Sequence, residues 1–298
     1  YVAADYVPSS RYNIDNMFAE LMKYVDSVKS TYMKQLLYSF FKDETFAKKF
    51  KCVSAAKTVH HGFAGGLLEH SLSVTRLCDK MSSNYDFLNR DLLITCAMLH
   101  DVGKVKELSE FPKNDYTDEG NFLGHIVIGY EMVMEKVKQI DGFPDMLAMQ
   151  IGHCILSHHG ELEYGSPKKP SIAEAVALSM ADNMDAKLET LREALEAKDT
   201  NDWLGYNRWL DSNIRRTMSF KKDDKVTFVI EDIGTGGEGI GKVDGYTLFV
   251  KDAIIGDKIE AKIIKAKKNY GYARLEKIIE ASSDRVTPAC PVARQCGG

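Results

Sequence analysis

The chain has 298 residues, with 39 Lys and Arg against 43 Asp and Glu, for a formal net charge of −4 at pH 7. Apolar residues make up 44% and charged residues 28%, the mixture of an ordinary globular chain long enough for one large or two modest cores. That balance excludes a uniformly basic nucleic-acid binder while permitting a local basic patch, and no stretch approaches the roughly 18 uncharged apolar residues of a membrane span.

The sequence opens Y-V-A-A-D-Y-V-P-S-S-R-Y-N, with neither an initiator Met nor a basic-then-apolar leader. We read it as a piece of a longer or processed chain that works in the cytoplasm. From about residue 13 to 218 the apolar periodicity is helical: Met17, Leu21, Val25 and Val28 form one stripe, and Leu67, Val74, Leu77 and Met81 another. Residues 91–100, 122–138, 144–157 and 171–197 continue the series between Gly and Pro turns. Cys52, Cys78, Cys96 and Cys154 stand singly among apolar residues and read as small buried hydrophobes of a reducing compartment.

Within this helical half, A-M-L-H-D-V-G-K-V (97–105) sets His100 and Asp101 side by side on an apolar run. Adjacent helical positions point about 100° apart, so the two side chains bond each other poorly but can converge on one ion lodged where helices meet. All eight histidines fall between residues 60 and 159. Singly, each is compatible with a core or surface histidine, and His153 is read so. Together, His70, His100, Asp101, His125, His158, His159 and Asp182 spread imidazoles and carboxylates over five helices, as bundles do when they build an interior metal site. These seven N and O ligands exceed the need of one tetrahedral ion. Two ions sharing Asp101 as a bridge would use them all, and such a pair activates water for in-line phosphoryl displacement. With no thiolate in the set, Mn²⁺, Fe²⁺ or Mg²⁺ suit it better than a structural zinc, although imidazoles keep Zn²⁺ and Ni²⁺ open.

The segments K-T-V-H-H-G-F-A-G-G-L-L-E-H-S-L-S-V, L-H-D-V-G-K, S-H-H-G-E-L-E-Y-G-S-P and A-D-N-M-D-A-K resemble the HD phosphohydrolase superfamily, and within it the YhaM-type 3′-5′ exoribonucleases, over roughly residues 5–197. The resemblance implies that His70, His100, Asp101 and Asp182 hold one ion, and that Asp101, His125, His158 and His159 hold a second. It implies further that Lys104 faces the scissile phosphate beside the catalytic Asp101, and that His60 and His61 line the substrate side. Asp185, three residues beyond Asp182, is expected to support a ligand rather than to be one. The exoribonucleases carry an N-terminal OB-fold, and this sequence begins at what resembles the linker after it.

Near K-K-D-D-K (221–225) the pattern changes. V-T-F-V-I, Y-T-L-F-V, D-K-I-E-A-K-I-I and Y-A-R-L-E-K-I-I are strand-like runs parted by G-T-G-G-E-G, V-D-G and I-I-G-D turns, and some five short strands in about 60 residues predict a small barrel. Lys262, Lys265, Lys267, Lys268 and Arg274 surround Tyr270 and Tyr272, offering phosphate contacts and aromatic faces for bases. A solvated lysine edge that blocks strand aggregation is the other reading. I-G-T-G-G-E-G-I-G-K-V-D-G-Y-T-L-F-V and I-I-G-D-K-I-E-A-K-I-I-K-A-K-K-N-Y-G-Y-A-R resemble the TRAM domain of RumA/TrmA-type RNA (uracil-5-)-methyltransferases, which implies RNA binding. In those enzymes the following stretch opens a four-cysteine iron–sulfur site. Cys290 and Cys296 match its first two positions, so no iron–sulfur cluster is expected in this chain.

The sequence thus predicts an all-α HD-domain helical bundle over residues 1–220, an all-β OB-like TRAM barrel over 221–282 and a cysteine-containing tail over 283–298. The expected activity is metal-dependent phosphodiester hydrolysis of RNA with two divalent ions, RNA as partner, and no membrane association. The alternatives are an HD phosphohydrolase acting on a cyclic or free nucleotide, and a non-catalytic RNA-binding fragment of a methyltransferase fusion.

Overall fold

The computed structural model describes residues 10–55, 62–111, 113–197, 203–215, 217, 220–267 and 269–286. The chain divides into two compact units: a helical one that also takes in Leu204–Asn213, and a second that contains the barrel. His60, His61, Lys268, Cys290 and Cys296 lie outside the described residues.

The helical unit runs α1 (Ile14–Ser27), α2 (Thr31–Phe41), α3 (Glu44–Cys52), α4 (Gly66–Asn84), α5 (Arg90–Leu99), α6 (Lys104–Glu107), α7 (Asp118–Lys138), α8 (Asp145–Ser157) and α9 (Ala173–Ala197). Their starts are written locally. Asn13, Ser30, Asp43, Asn89 and Thr117 each accept a hydrogen bond from a backbone N–H of the first turn that the helix itself cannot satisfy. Every residue of α5 from Leu92 to Leu99 is buried, because α4, α9, α2 and α8 pack around it. Leu21, Leu36, Phe40, Phe50, Leu67, Leu93, Met98, Ile151 and Leu178 belong to one continuous core. Cys78, Cys96 and Cys154 are buried in it as small hydrophobes, whereas Cys52, at the end of α3, is exposed.

The helical series ends at Ala197 rather than near 218. Trp203–Asn207 (β1) and Ser212–Arg215 (β2) pair as a small hairpin. Gly205 and Asp211 adopt φ of 96° and 46°, a left-handed conformation that a helix cannot contain, and aromatic residues favour the extended segments between.

The barrel closes in the order β3 (Lys225–Ile233), β4 (Gly239–Val243), β5 (Tyr246–Lys251), β7 (Tyr270–Glu280), β6 (Lys258–Ala266) and back to β3. β5 and β7 are the parallel pair. Ile259, Ala261 and Ile263 of β6 point inward with Leu248 and Val250 of β5, Phe228 and Ile230 of β3 and Ala273 of β7. Closure removes the free edges that a five-stranded sheet would otherwise expose. Arg285 lies in the predicted tail yet is fastened to the barrel: its guanidinium donates to the buried Asp257 carboxylate at 2.5 Å and to the Asp252 carbonyl at 2.9 Å. Among the described residues no helix is long and apolar enough to cross a membrane.

Candidate metal centre and nucleic-acid face

In the helical unit two helices end the same way. α5 stops at Leu99 and hands the chain to His100-Asp101; α8 stops at Ser157 and hands it to His158-His159. Each first histidine turns its ring back onto its own helix, the Nδ1–H of His100 donating to the Ala97 carbonyl (2.8 Å) and that of His158 to the Ile155 carbonyl (2.6 Å). A carbonyl only accepts, so both rings carry the Nδ1 proton and present the Nε2 lone pair. His159 is fixed likewise by the Tyr164 carbonyl at 2.7 Å.

His125 owes its place to two glycines. Gly124 interrupts α7 with φ of 71°, which frees the His125 N–H from the helical ladder; Glu107 accepts from that N–H at 2.9 Å and from the ring Nδ1 at 3.0 Å. Gly103 lets the α6 turn meet α7, since a Cβ there would stand 2.1 Å from the His125 carbonyl. His70 in α4 donates from Nδ1 to Asp185 of α9 at 2.7 Å, and Ser73 also donates to Asp185.

All five rings therefore have Nδ1 tied down, and Nε2 of His70, His100, His125 and His158 lies within 3.6 Å of an Asp101 oxygen. One Asp101 oxygen, Oδ2, lies 3.5 Å from Nε2 of both His70 and His100, and Asp182 Oδ1 lies 3.1 Å from His70 Nε2. The other, Oδ1, lies 3.4 Å from His125 Nε2 and 3.6 Å from His158 Nε2. His70, His100 and Asp182 form one group of converging ligand atoms, and His125, His158 and His159 a second, with Asp101 between them. Among the described residues, Asp101 Oδ1, His125 Nε2 and His158 Nε2 are buried without a hydrogen-bond partner. Buried acceptors left facing one another are costly unless a cation satisfies them, and the donor set fits divalent ions.

The electrostatics agree with that arrangement. Burial holds the His158 ring well below its ordinary pKa, aided by His159, and burial likewise lowers His100 and His159. These rings are neutral and able to ligate. Burial opposes charge on His70 too, but its bonds to Asp182 and Asp185 more than offset this and hold the ring protonated up to about 10. That Nε2 proton competes with a metal ion for the same lone pair. Burial would raise the Asp101 carboxyl, yet Lys104 and the surrounding imidazoles keep it well below the usual range. Lys104 Nζ pairs with Asp101 Oδ2 at 2.7 Å while also lining the cavity over the cluster.

His153 stands apart, its Nε2 accepting from the Ser171 N–H at 2.8 Å. Glu107 escaped the sequence reading. A single Glu in K-V-K-E-L carries no signal, and only the kink at Gly124 gives it a partner.

On the barrel, Tyr270 and Tyr272 sit on the outer face of β7 with ring centres 5.9 Å apart, and Phe249 of β5 joins them at 6.0 and 5.6 Å. Phe249 was also missed, although its flanking Leu248 and Val250 point inward and the period of two sends it outward. The predicted basic residues divide. Lys262 pairs with Asp223 and Arg274 with Glu276, both at 2.9 Å. Lys265 and Lys267 are exposed, and among the described residues no carboxylate lies within ion-pair reach of either.

The helical bundle with its paired His/Asp groups falls where the chain matches a known family: residues 67–187 match the HD domain family, and residues 225–275 match the TRAM domain family. The chain joins one to the other. It is similar to the 3′-5′ exoribonuclease YhaM of Bacillus licheniformis, 39% identical over 197 residues that cover 64% of this chain and 60% of that protein. The YhaM of Bacillus subtilis is 38% identical with the same coverage, so the chain spans about 60% of the length of these relatives. A solution structure of a conserved protein of Methanococcus maripaludis is 32% identical where it aligns, covering 19% of this chain and 81% of that one at a TM-score of 0.19.

Proposed function

We propose that the helical unit is a metal-dependent phosphodiesterase that removes nucleotides from the 3′ end of RNA, and that the barrel holds the RNA. The observation that carries this reading is the bridging position of Asp101, one oxygen toward His70 and His100 and the other toward His125 and His158. His70, His100, Asp101 and Asp182 would hold one divalent ion; Asp101, His125, His158 and His159 would hold the other. Ions in those two places supply Lewis-acid chemistry for in-line phosphoryl transfer to water.

The chain's own residues do the rest. The Nδ1 partners keep each Nε2 aimed at the site, so ligation requires no reorientation of a ring. Lys104, half-buried in the cavity wall, offers a cation to the phosphate that enters beside Asp101. The similarity to the YhaM exoribonucleases supports RNA as the substrate, and the TRAM match supports an RNA-binding role for the barrel.

The test is a hydrolysis panel on the purified, metal-analysed chain with Mn²⁺, using 5′-labelled single-stranded RNA, DNA and cyclic dinucleotides. Stepwise shortening of RNA from the 3′ end, lost in Asp101→Ala, is the expected result. Cleavage of cyclic dinucleotides by a chain that leaves RNA intact would replace this substrate with a small nucleotide. A metal-loaded chain inert on all three would end the phosphodiesterase reading.

A further inference from the structure

The cavity over the His/Asp cluster has a volume of about 530 Å³ and is lined in part by residues with no place in the ligand set. Its floor is His70, Asp101, His159 and Asp182; its wall is α9, where Asn183, Lys187 and Thr190 fall on one helical face, and its mouth holds Tyr164 and Trp209. Trp209 sits in the turn of the β1–β2 hairpin and is 56% exposed. An indole this exposed contributes little to the helical core. Arg208 places its guanidinium 4.7 Å from the ring centre, occupying one face of the indole. Among the described residues the only carboxylates lining the cavity are Asp101 and Asp182 of the cluster, whereas Lys104 and Lys187 also line it. Cations, an amide and an aromatic plane around the His/Asp cluster match a nucleotide, whose phosphate is anionic and whose base is flat.

We propose that Trp209 is the stacking platform for the base of the nucleotide being released, with Lys187 and Asn183 contacting its sugar and phosphate. The inference rests on the phosphodiesterase reading above and adds what that reading lacks, a means of holding the terminal nucleotide in register. Trp209 is thus a positioning residue. Stacking tolerates any of the four bases, because each has a π-face, so it suits an enzyme that processes a strand irrespective of sequence. It also gives the hairpin a role: Trp209 lies beyond residues 67–187, the part of the chain that matches the HD domain.

Trp203 and Trp209 are the chain's two indoles, so a Trp203→Phe background makes Trp209 the sole indole and its emission a reporter of that residue. In that background, with Mg²⁺ present, adenosine 5′-monophosphate should quench the emission saturably and ribose 5-phosphate should not. In the otherwise intact chain, Trp209→Ala should raise KM for a trinucleotide about tenfold while kcat moves less, and Trp209→Phe should retain most of the affinity. Equal responses to the two ligands, no response to either, or a KM for Trp209→Ala within twofold of the parent would overturn the proposal. Selective quenching in a chain that fails to cleave RNA would leave the stacking intact and remove the exoribonuclease reading. Cleavage of RNA without selective quenching would do the reverse.

Discussion

In the helical unit the candidate ligands His100, His158 and Asp101 are buried, the two rings at 0% exposure and Asp101 at 1%, while Lys265, Lys267, Tyr270 and Tyr272 of the barrel stand in solvent. Burial makes each polar atom in the first unit accountable. Every imidazole of the cluster has a named acceptor on Nδ1, and among the described residues the cluster atoms still unpaired, Asp101 Oδ1, His125 Nε2 and His158 Nε2, lie together. The second unit has no such constraint, because water satisfies whatever the chain does not. A buried site is specified by geometry and breaks sharply; an exposed face is specified by composition and weakens by degrees.

The sharpest test is Asp101→Ala. Both groups of ligands share that carboxylate, so turnover should fall by roughly a thousandfold, the scale of two-metal charge stabilisation, and metal content by mass spectrometry should drop with it. Full metal content and full turnover in this variant would break the comparison at its centre.

Among the described residues the barrel has one buried charge of its own, Asp257, which makes it an internal control. Asp257 accepts from Arg285 and from the backbone N–H groups of Ile254 and Ser282, and these bonds, Arg285 first, hold its carboxyl down at about 2. Asp257→Ala strands the guanidinium and should cost the barrel about 3 kcal/mol in denaturant unfolding. Because the folded pKa lies below the ordinary 3.8, the stabilisation is complete above pH 4 and disappears as the pH falls through about 2. An Asp257→Asn barrel should lose that acid-limb slope. An unchanged slope would assign acid sensitivity to other carboxylates.

Glu107→Gln probes a partner that touches no ligand atom facing the centre. The substitution keeps the size but weakens the hold on His125, so metal affinity should fall by about 10- to 100-fold in a chelator competition titration. Unaltered affinity would show that His125 needs no orienting group.

The smallest effects belong to the exposed face. Lys265→Ala should reduce the slope of log affinity for RNA against log salt by about one unit, because an unpaired cation releases a counterion on binding. Lys262→Ala should change it less, since Asp223 already neutralises that charge. Equal slopes for the two would erase the distinction between paired and unpaired lysines on the barrel.

How much of this was legible varies by element. The apolar stripe Met17, Leu21, Val25 and Val28 is buried as its spacing requires, and the barrel strands alternate as V-T-F-V-I and D-K-I-E-A-K-I-I promise. The hairpin at 203–215 was missed because W-L-G-Y-N-R-W-L can be laid on a helical wheel, and only the left-handed Gly205 and Asp211 rule the helix out. The division of the lysines into paired and unpaired was equally invisible, since Asp223 is distant from Lys262 in sequence and meets it only across the closed barrel.

By itself the sequence determined which side chains have metal-ligand chemistry and which helices carry them or lead into them, because residue type and helical period are local properties. It also determined that the second half is a strand barrel with aromatic and basic residues interleaved. Only the tertiary structure decided which oxygen of Asp101 faces which histidines, that Glu107 and the carbonyls of Ala97, Ile155 and Tyr164 fix the tautomers, and that Trp209 reaches the mouth of the cavity. Those outcomes depend on helix packing and on a kink at Gly124, and packing brings together residues that no local periodicity relates.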